Sequence, residues 1–151
     1  MNQLTPQEIA EVIAGAKFAH IGVISNGDPY VTPISFVSVG DGIAFRSLGG
    51  KRMDAIAEHP RVSIEITHYD GATGAWRSVI AEGRAMVVED VNEEASIIQS
   101  LLHRYEESFN SLLGDSAPSL SKAYIIKVEF DGITGRSSGT FLQPKTRPGR
   151  L

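Results

Sequence analysis

Cysteine is absent from the 151 residues, which excludes disulfides, thiolate metal sites, iron–sulfur clusters and a cysteine nucleophile. Long apolar runs are missing too. Residues 1–7 are polar, and no stretch nears the ~18–20 apolar residues of a membrane span. The expectation is a cytoplasmic protein with no membrane partner. Basic residues are outnumbered, 14 to 18 acidic ones, for a formal net charge of -4. A whole-domain electrostatic grip on nucleic acid is therefore not expected. Tryptophan occurs once, whereas glycine occurs 15 times; so many glycines imply many turns, or a backbone that something approaches closely. With 42% hydrophobic and 21% charged residues, the chain reads as one globular domain, residues 1–151, rather than as a disordered one.

Thr5-Pro6-Gln7-Glu8 opens a helix with a capping box, and Ile9, Val12 and Ile13 share its apolar face. Strand patterns follow over 18–24, 30–39 and 43–47, punctuated by Asn26-Gly27-Asp28-Pro29 and Gly40-Asp41-Gly42. Pro33 marks the second strand as an edge or a bulge. Residues 51–58 predict a short helix with Met53, Ile56 and Ala57 on its apolar side, ended by Pro60. Val62, Ile64 and Ile66 alternate with Ser63, Glu65 and Thr67, a strand with one buried face. After a glycine-rich, mobile-looking loop, residues 76–88 predict another long strand. A long helix over 91–113 places Ile98, Leu101, Leu102, Tyr105, Phe109 and Leu112 on one face. The strand 123–130, a turn at Asp131-Gly132 and a short strand 133–135 precede a basic arm, 136–151. Consecutive strands with tight turns favour an antiparallel sheet closed into a small barrel.

The most informative stretch is Leu48-Gly49-Gly50-Lys51-Arg52. It puts two cations at the start of a helix, where the dipole is already positive. A bound anion would relieve the conflict by accepting backbone N–H groups and charge-assisted bonds from Lys51 and Arg52, with Arg46 as a third cation. Solvated surface charges are the competing reading, since the conflict is worth only ~0.3–1 kcal/mol. The stretch is not a nucleotide-triphosphate loop: Phe45 stands at the required first glycine and Arg52 at the Ser/Thr place. No dinucleotide fingerprint is present either. The four histidines (His20, His59, His68, His103) lack metal-ligand spacing, and no nucleophile elbow exists. Trp76, beside Arg77 and Ser78 after a glycine-rich loop, is either a core residue or a ligand-flanking one.

The ordered set of motifs resembles the FMN-binding split-barrel superfamily, typified by pyridoxamine 5′-phosphate oxidase. The matching pieces are the first strand and turn (19–28), Pro29-Tyr30-Val31-Thr32-Pro33-Ile34-Ser35-Phe36, Ile43-Ala44-Phe45-Arg46-Ser47, Lys51-Arg52 with His59-Pro60-Arg61-Val62, and Arg77-Ser78-Val79-Ile80-Ala81-Glu82-Gly83-Arg84-Ala85. The resemblance implies a mainly β fold with flanking helices: a six-stranded antiparallel split barrel, homodimeric, with flavin sites at the dimer interface. It implies that Tyr30, Thr32, Pro33, Ile34 and Ser35 run beside the flavin. Phe45, Arg46 and Ser47 would continue that wall, Lys51 and Arg52 would hold the FMN phosphate, Ser78 would contact the ring, and Trp76 would border the pocket.

Two departures separate the chain from the full oxidase: Tyr30 and Ser35 stand where it has basic residues, and its C-terminal tryptophan-and-arginine signature is absent. The resemblance is to the smaller relatives, whose cofactor is FMN, a deazaflavin or heme. The leading expectation is an FMN-dependent oxidoreductase acting on a small molecule. The alternative is a non-catalytic binding protein for heme or deazaflavin, with His20 or His68 as a heme ligand. The arm 136–151 would either cross the partner subunit or be disordered. No metal site is expected.

Overall fold

The computed structural model describes residues 2–105 and 123–138. Strand β1 (Asn2–Gln3) precedes helix α1 (Pro6–Gly15). The capping box forms: Glu8 N–H donates to Thr5 Oγ1 at 3.2 Å and Thr5 N–H to Glu8 Oε1 at 3.0 Å. Those bonds, the backbone one first, hold the Glu8 carboxyl below its ordinary pKa. The helix buries Val12, and Arg77 fastens it to the sheet by pairing with Glu8 at 3.2 Å and Glu11 at 3.5 Å.

Strands β2 (Ala19–Ser25), β3 (Asp28–Ile34), β4 (Phe36–Val39) and β5 (Gly42–Leu48) come next, then α2 (Lys51–Glu58), β6 (Arg61–Tyr69), β7 (Trp76–Val87), α3 (Val91–Arg104) and β8 (Ala123–Ser137). All pairings are antiparallel, in the order β3-β2-β6-β7-β8-β5-β4, with β1 added beside β8. The two ends of this order, β3 and β4, are consecutive in the chain and meet at Ser35. The sheet therefore curls until its two edges are joined by a single residue, which gives a split barrel.

Four expectations change. The single strand over 30–39 is two strands, because Ile34 pairs with Ala19 of β2 while Phe36 pairs with Phe45 of β5. Proline at 33 fits an edge, since it has no N–H to donate. The hairpin at Asp131-Gly132 does not form, and β8 runs straight through. Gly132 pairs with Glu82 and Phe130 with Gly83, leaving Asp131 as the extra residue of a bulge. Its carboxylate takes two bonds from Arg61, at 2.6 and 2.9 Å, and these hold its pKa below the ordinary value. Opposite the bulge, a Cβ on Gly83 would sit 2.1 Å from the Glu129 carbonyl oxygen. Among the described residues the strands number eight where six were expected, through the two-residue β1 and the break at Ser35. Finally, Arg136 and Ser137 belong to β8 rather than to an arm; residues 139–151 lie outside the described ones.

The main core fills the barrel, with Phe36, Phe45, Ile21, Ile43, Ile64, Ile66 and Ile126 fully buried. Each such side chain contributes about 1.5–3 kcal/mol by leaving water. In α2 the buried pair is Ala55 and Ile56, with Ala57 exposed rather than apolar-facing. A second core lies on the outside, where α3 packs Ile97 and Leu101 against Val37, Ala44, Val88 and Ile125. The face is rotated from the expected one: Ile97 is 3% exposed and Ile98 37%. The expected continuation of this helix to 113, with Phe109 and Leu112, lies outside the described residues.

The end of α3 secures the split. Tyr105 Oη donates to the Phe36 carbonyl at 2.8 Å and accepts from the Phe36 N–H at 3.1 Å. The Arg104 guanidinium donates to the Phe36 carbonyl at 2.9 Å and to the carbonyls of Ala14 and Ala16 at the end of α1, and lies over the Phe36 ring. These bonds satisfy an edge that no strand covers. Replacing Tyr105 with Phe should lower stability by about 1–3 kcal/mol, with an unchanged slope in chemical denaturation. An unchanged midpoint would show that the hydroxyl bridge contributes nothing.

Candidate functional site

The glycine pair before α2 adopts a conformation that few other residues could. Gly50 has φ 142° and ψ -159°, a region open essentially to glycine alone. A Cβ on Gly49 or Gly50 would meet no atom within 4 Å, so the space in front of the turn is open. Lys51 and Arg52 then enter the first helical turn, as expected, and both side chains meet β3.

Arg52 turns toward the split. Its Nε and Nη2 donate to Ser47 Oγ at 3.2 and 3.0 Å, and its Nη1 to Thr32 Oγ1 at 2.9 Å and the Pro33 carbonyl at 3.4 Å. The guanidinium also lies over the Phe45 ring, 5.5 Å from its centre. It thus ties β3 to β5, two strands that share no backbone ladder. The Ser47 hydroxyl donates to the Leu48 carbonyl at 3.1 Å, which leaves its oxygen lone pairs free to accept. Burial pushes the Arg52 pKa below its ordinary value, a loss partly offset by the field of Tyr30. Among the described residues, no carboxylate forms an ion pair with Arg52 or Lys51. Lys51 Nζ lies 4.3 Å from the centre of the Tyr30 ring, two residues before Thr32 on the same face of β3.

The structure therefore brings Tyr30, Thr32, Pro33, Phe45, Ser47, Lys51 and Arg52 together. Ile34, on the same face as Thr32, is buried in the core, and Ser35 is exposed at the split. Arg46 is not part of this group: alternation along β5 puts it on the face opposite Phe45 and Ser47, paired with Ile125 of the α3 core.

Ser78 and Trp76 lie apart from Arg52, on β7. Ser78 sits opposite Thr67 on the outward face of the sheet and donates to Glu65 Oε1 at 2.9 Å. Thr67 Oγ1 also donates to Glu65 Oε1. On the far side, His20 Nδ1 lies 3.4 Å from Glu65 Oε2. Glu65 is thus the centre of a four-residue cluster across β2, β6 and β7. It reaches the first group through β3, because His20 pairs with Pro33, whose carbonyl accepts from Arg52. Sequence reasoning missed Glu65: its alternation with Ile64 and Ile66 reads as a solvated face, and only the strand register sets it beside Ser78 and His20. His68 is exposed past the end of the core, so the two histidines stand in different settings. Trp76 is half-buried, its backbone N–H donating to Ser138 Oγ at 3.0 Å. In the loop before it, the Asp70 carboxylate accepts from the Ala72 N–H and the Thr73 hydroxyl, each at 2.9 Å.

With this geometry in view, the sequence profile of pyridoxamine 5′-phosphate oxidase matches residues 5–137. The chain belongs to that family. Solved structures share its fold, three of them as follows. A FAD-binding protein of Mesorhizobium loti is 17% identical with a TM-score of 0.77, over 91% of this chain and 98% of its own. A FAD and heme binding protein of Mycobacterium smegmatis is 17% identical with a TM-score of 0.73, over 93% and 75%. The heme storage protein of Vibrio cholerae is 18% identical with a TM-score of 0.68, over 85% and 92%. Among the described residues, no helix of this family member is long and apolar enough to cross a membrane.

Arg52 is a planar fork with two strands in its grip, and a lysine cannot copy that. With no cofactor added, Arg52→Lys should cost about 1–3 kcal/mol of stability through the lost Ser47 and Thr32 bonds. Lys51→Ala should cost under about 1 kcal/mol, as for an exposed cation–π contact. Equal midpoints for the two variants in urea would refute the bridging role.

Proposed function

We propose that the chain is a flavin-dependent oxidoreductase acting on a small molecule, with FMN as the smallest flavin carrying the phosphate it needs. The observation that carries this reading is the cation at the split. Arg52 is half-buried, is aligned by two hydroxyls and lacks a carboxylate partner among the described residues. It stands beside a glycine turn with open space before it. An anion with several acceptor oxygens fits that donor set, and a phosphate is the natural one.

A bound flavin supplies the two-electron chemistry. The chain's own residues would hold and orient it. Arg52 and Lys51 would bind the phosphate, and Gly49 and Gly50 would allow the backbone to approach it. Strand β3 is a sheet edge, so its outward backbone groups can hydrogen-bond a ligand instead of another strand. Glu65 would keep the Ser78 hydroxyl turned and ready as a polar contact. Tyr30 and Trp76 offer ring faces at the margins of the pocket.

The functional unit in this reading is a homodimer with cofactor sites at its interface. Support comes from the outward face of β3, β2, β6 and β7, where Val31, Ile24, Tyr69 and Ile80 are exposed around the Glu65 cluster. Such an apolar face on a soluble monomer marks an interaction surface. Sedimentation equilibrium should give twice the chain mass; the mass of one chain would refute the dimer.

A second reading, heme binding, is favoured by His20. A carboxylate beside one ring nitrogen orients an imidazole so that the other can ligate a metal. Deazaflavin would meet the same phosphate-binding residues as FMN.

Titration decides between these readings. FMN should bind with a shifted visible spectrum, and Arg52→Ala should weaken it by about tenfold to a hundredfold, as for lost charge-assisted bonds. Hemin should give no Soret shift that depends on His20. A Soret band lost in His20→Ala, together with unchanged FMN affinity in Arg52→Ala, would overturn the flavin reading in favour of heme.

A further inference from the structure

Glycine weakens the interior of a strand, so its presence there needs a cause. For Gly42, Gly83 and Gly135 the cause lies within the chain: a Cβ would collide with the Val128 carbonyl, the Glu129 carbonyl and the Ile9 side chain respectively. Gly22 is different. It sits in the middle of β2, paired with Val31 of β3 on one side and Ser63 of β6 on the other. Its buried neighbours Ile21 and Val23 point inward, so it belongs to the outward face. A Cβ there would meet Ser63 and Val31 at 3.8 to 3.9 Å, ordinary van der Waals contact. Its φ is not among the positive ones. Among the described residues, no turn and no close approach requires glycine at 22.

The missing side chain leaves a hollow of about 340 Å³ in the face of the sheet, lined by Gly22, Ile24, Pro29, Arg61, Ser63 and Glu82. Ile24 and Pro29, a cross-strand pair, form an apolar wall. Arg61 and Glu82, 3.6 Å apart, form a charged one. Ser63 stands between Gly22 and Glu82 in the strand register.

The surroundings of the hollow select a second copy of the chain as its occupant. Val31 beside it is 62% exposed, and Ile80 on the same face 50%, more apolar surface than a lone chain gains by showing to water. Charges of both signs follow in adjacent positions: Arg61 lies opposite Arg84, Arg84 opposite Glu129, and Glu82 and Asp131 both pair with Arg61. A two-fold axis can set the cations of such a face over the anions of its copy, which is the self-complementarity an isologous interface needs. A partner of one charge sign would meet as much repulsion as attraction.

We infer that Gly22 is a socket in the homodimer interface, filled by an outward apolar side chain of the second copy. The inference rests on the homodimer reading above and adds a specific seat to it. The side chain that β2 lacks is supplied by the partner, which explains a glycine that the single chain does not need.

The test is sedimentation equilibrium of the full chain and of Gly22→Ala and Gly22→Leu, with circular dichroism to show that each variant folds. Leucine fills the hollow. It should raise the dimer dissociation constant at least about a hundredfold, because each dimer carries the overpacking twice. Alanine adds one carbon and should raise it about three- to tenfold; it decides the matter should the leucine variant not fold. Dissociation constants unchanged from the native chain would overturn the inference and leave the homodimer reading standing. A leucine variant that stays dimeric but loses affinity for added FMN would also overturn it, by making the hollow a ligand seat. A native chain that sediments with the mass of one chain would overturn both.

Discussion

One guanidinium occupies the weakest place in this fold. A sheet whose two edges meet at a single residue has no ladder across the seam, and here β3 and β5 face each other without backbone bonds. Arg52 spans that seam with four hydrogen bonds, two to Ser47 and two to β3. Its neighbours follow from this task. Ser47 is a hydroxyl inside a core strand because the bridge needs an acceptor there. Thr32 shares the parity of Ile34, and so turns its hydroxyl inward. Gly50 takes its unusual φ so that the helix carrying Arg52 can start at once after β5. On the opposite side of the barrel wall, Tyr105 and Arg104 secure the other half of the seam by satisfying Phe36. The split is thus held from inside by a cation and from outside by a helix end.

The same seam makes a binding site economical. Closed barrels leave no edge for a ligand to pair with, whereas a split one exposes β3 beside its own cation. The charge that holds the seam is also only partly compensated, since hydroxyls and a carbonyl solvate it but no carboxylate among the described residues neutralises it. Structural and ligand-binding tasks need not compete at Arg52. Its four bonds leave one Nη2 hydrogen for a further acceptor, and its charge remains whole.

Much of this was legible in the sequence, for physical reasons that can be named. The capping box at Thr5 and Glu8 and the two-residue alternation of β6 depend on neighbours in sequence, and both form as expected. The glycine pair before two cations signalled a turn in conflict with its helix dipole, and the turn forms, with Gly50 at φ 142°. What failed depended on partners distant in the chain. Asp131-Gly132 has turn chemistry, but Arg61, 70 residues away, binds the aspartate and makes it a bulge. The apolar stripe of α3 drifted by one residue because two of its candidate positions, Ile97 and Ile98, are equally apolar, and only the shape of the β5–β8 surface chooses between them. Arg46 was grouped with Lys51 and Arg52 by proximity in sequence, although strand alternation sends it to the other face. Glu65 was invisible as a site residue because a polar side chain on the outward face of a strand has no local mark of function.

Lys51 is the residue that the fold explains least. A cation in the first turn of a helix is unfavourable by ~0.3–1 kcal/mol. For Arg52 the cost is offset by four hydrogen bonds and a ring contact. For Lys51 the offset is a cation–π contact with Tyr30, worth ~0.5–1 kcal/mol at an exposed site, so the balance is close to zero. A neutral or acidic residue there would suit α2 better on its own account, as Asp54 already does later in the turn. A lysine set against the helix dipole, beside a glycine turn with open space before it, is therefore not accounted for by the stability of the helix that carries it.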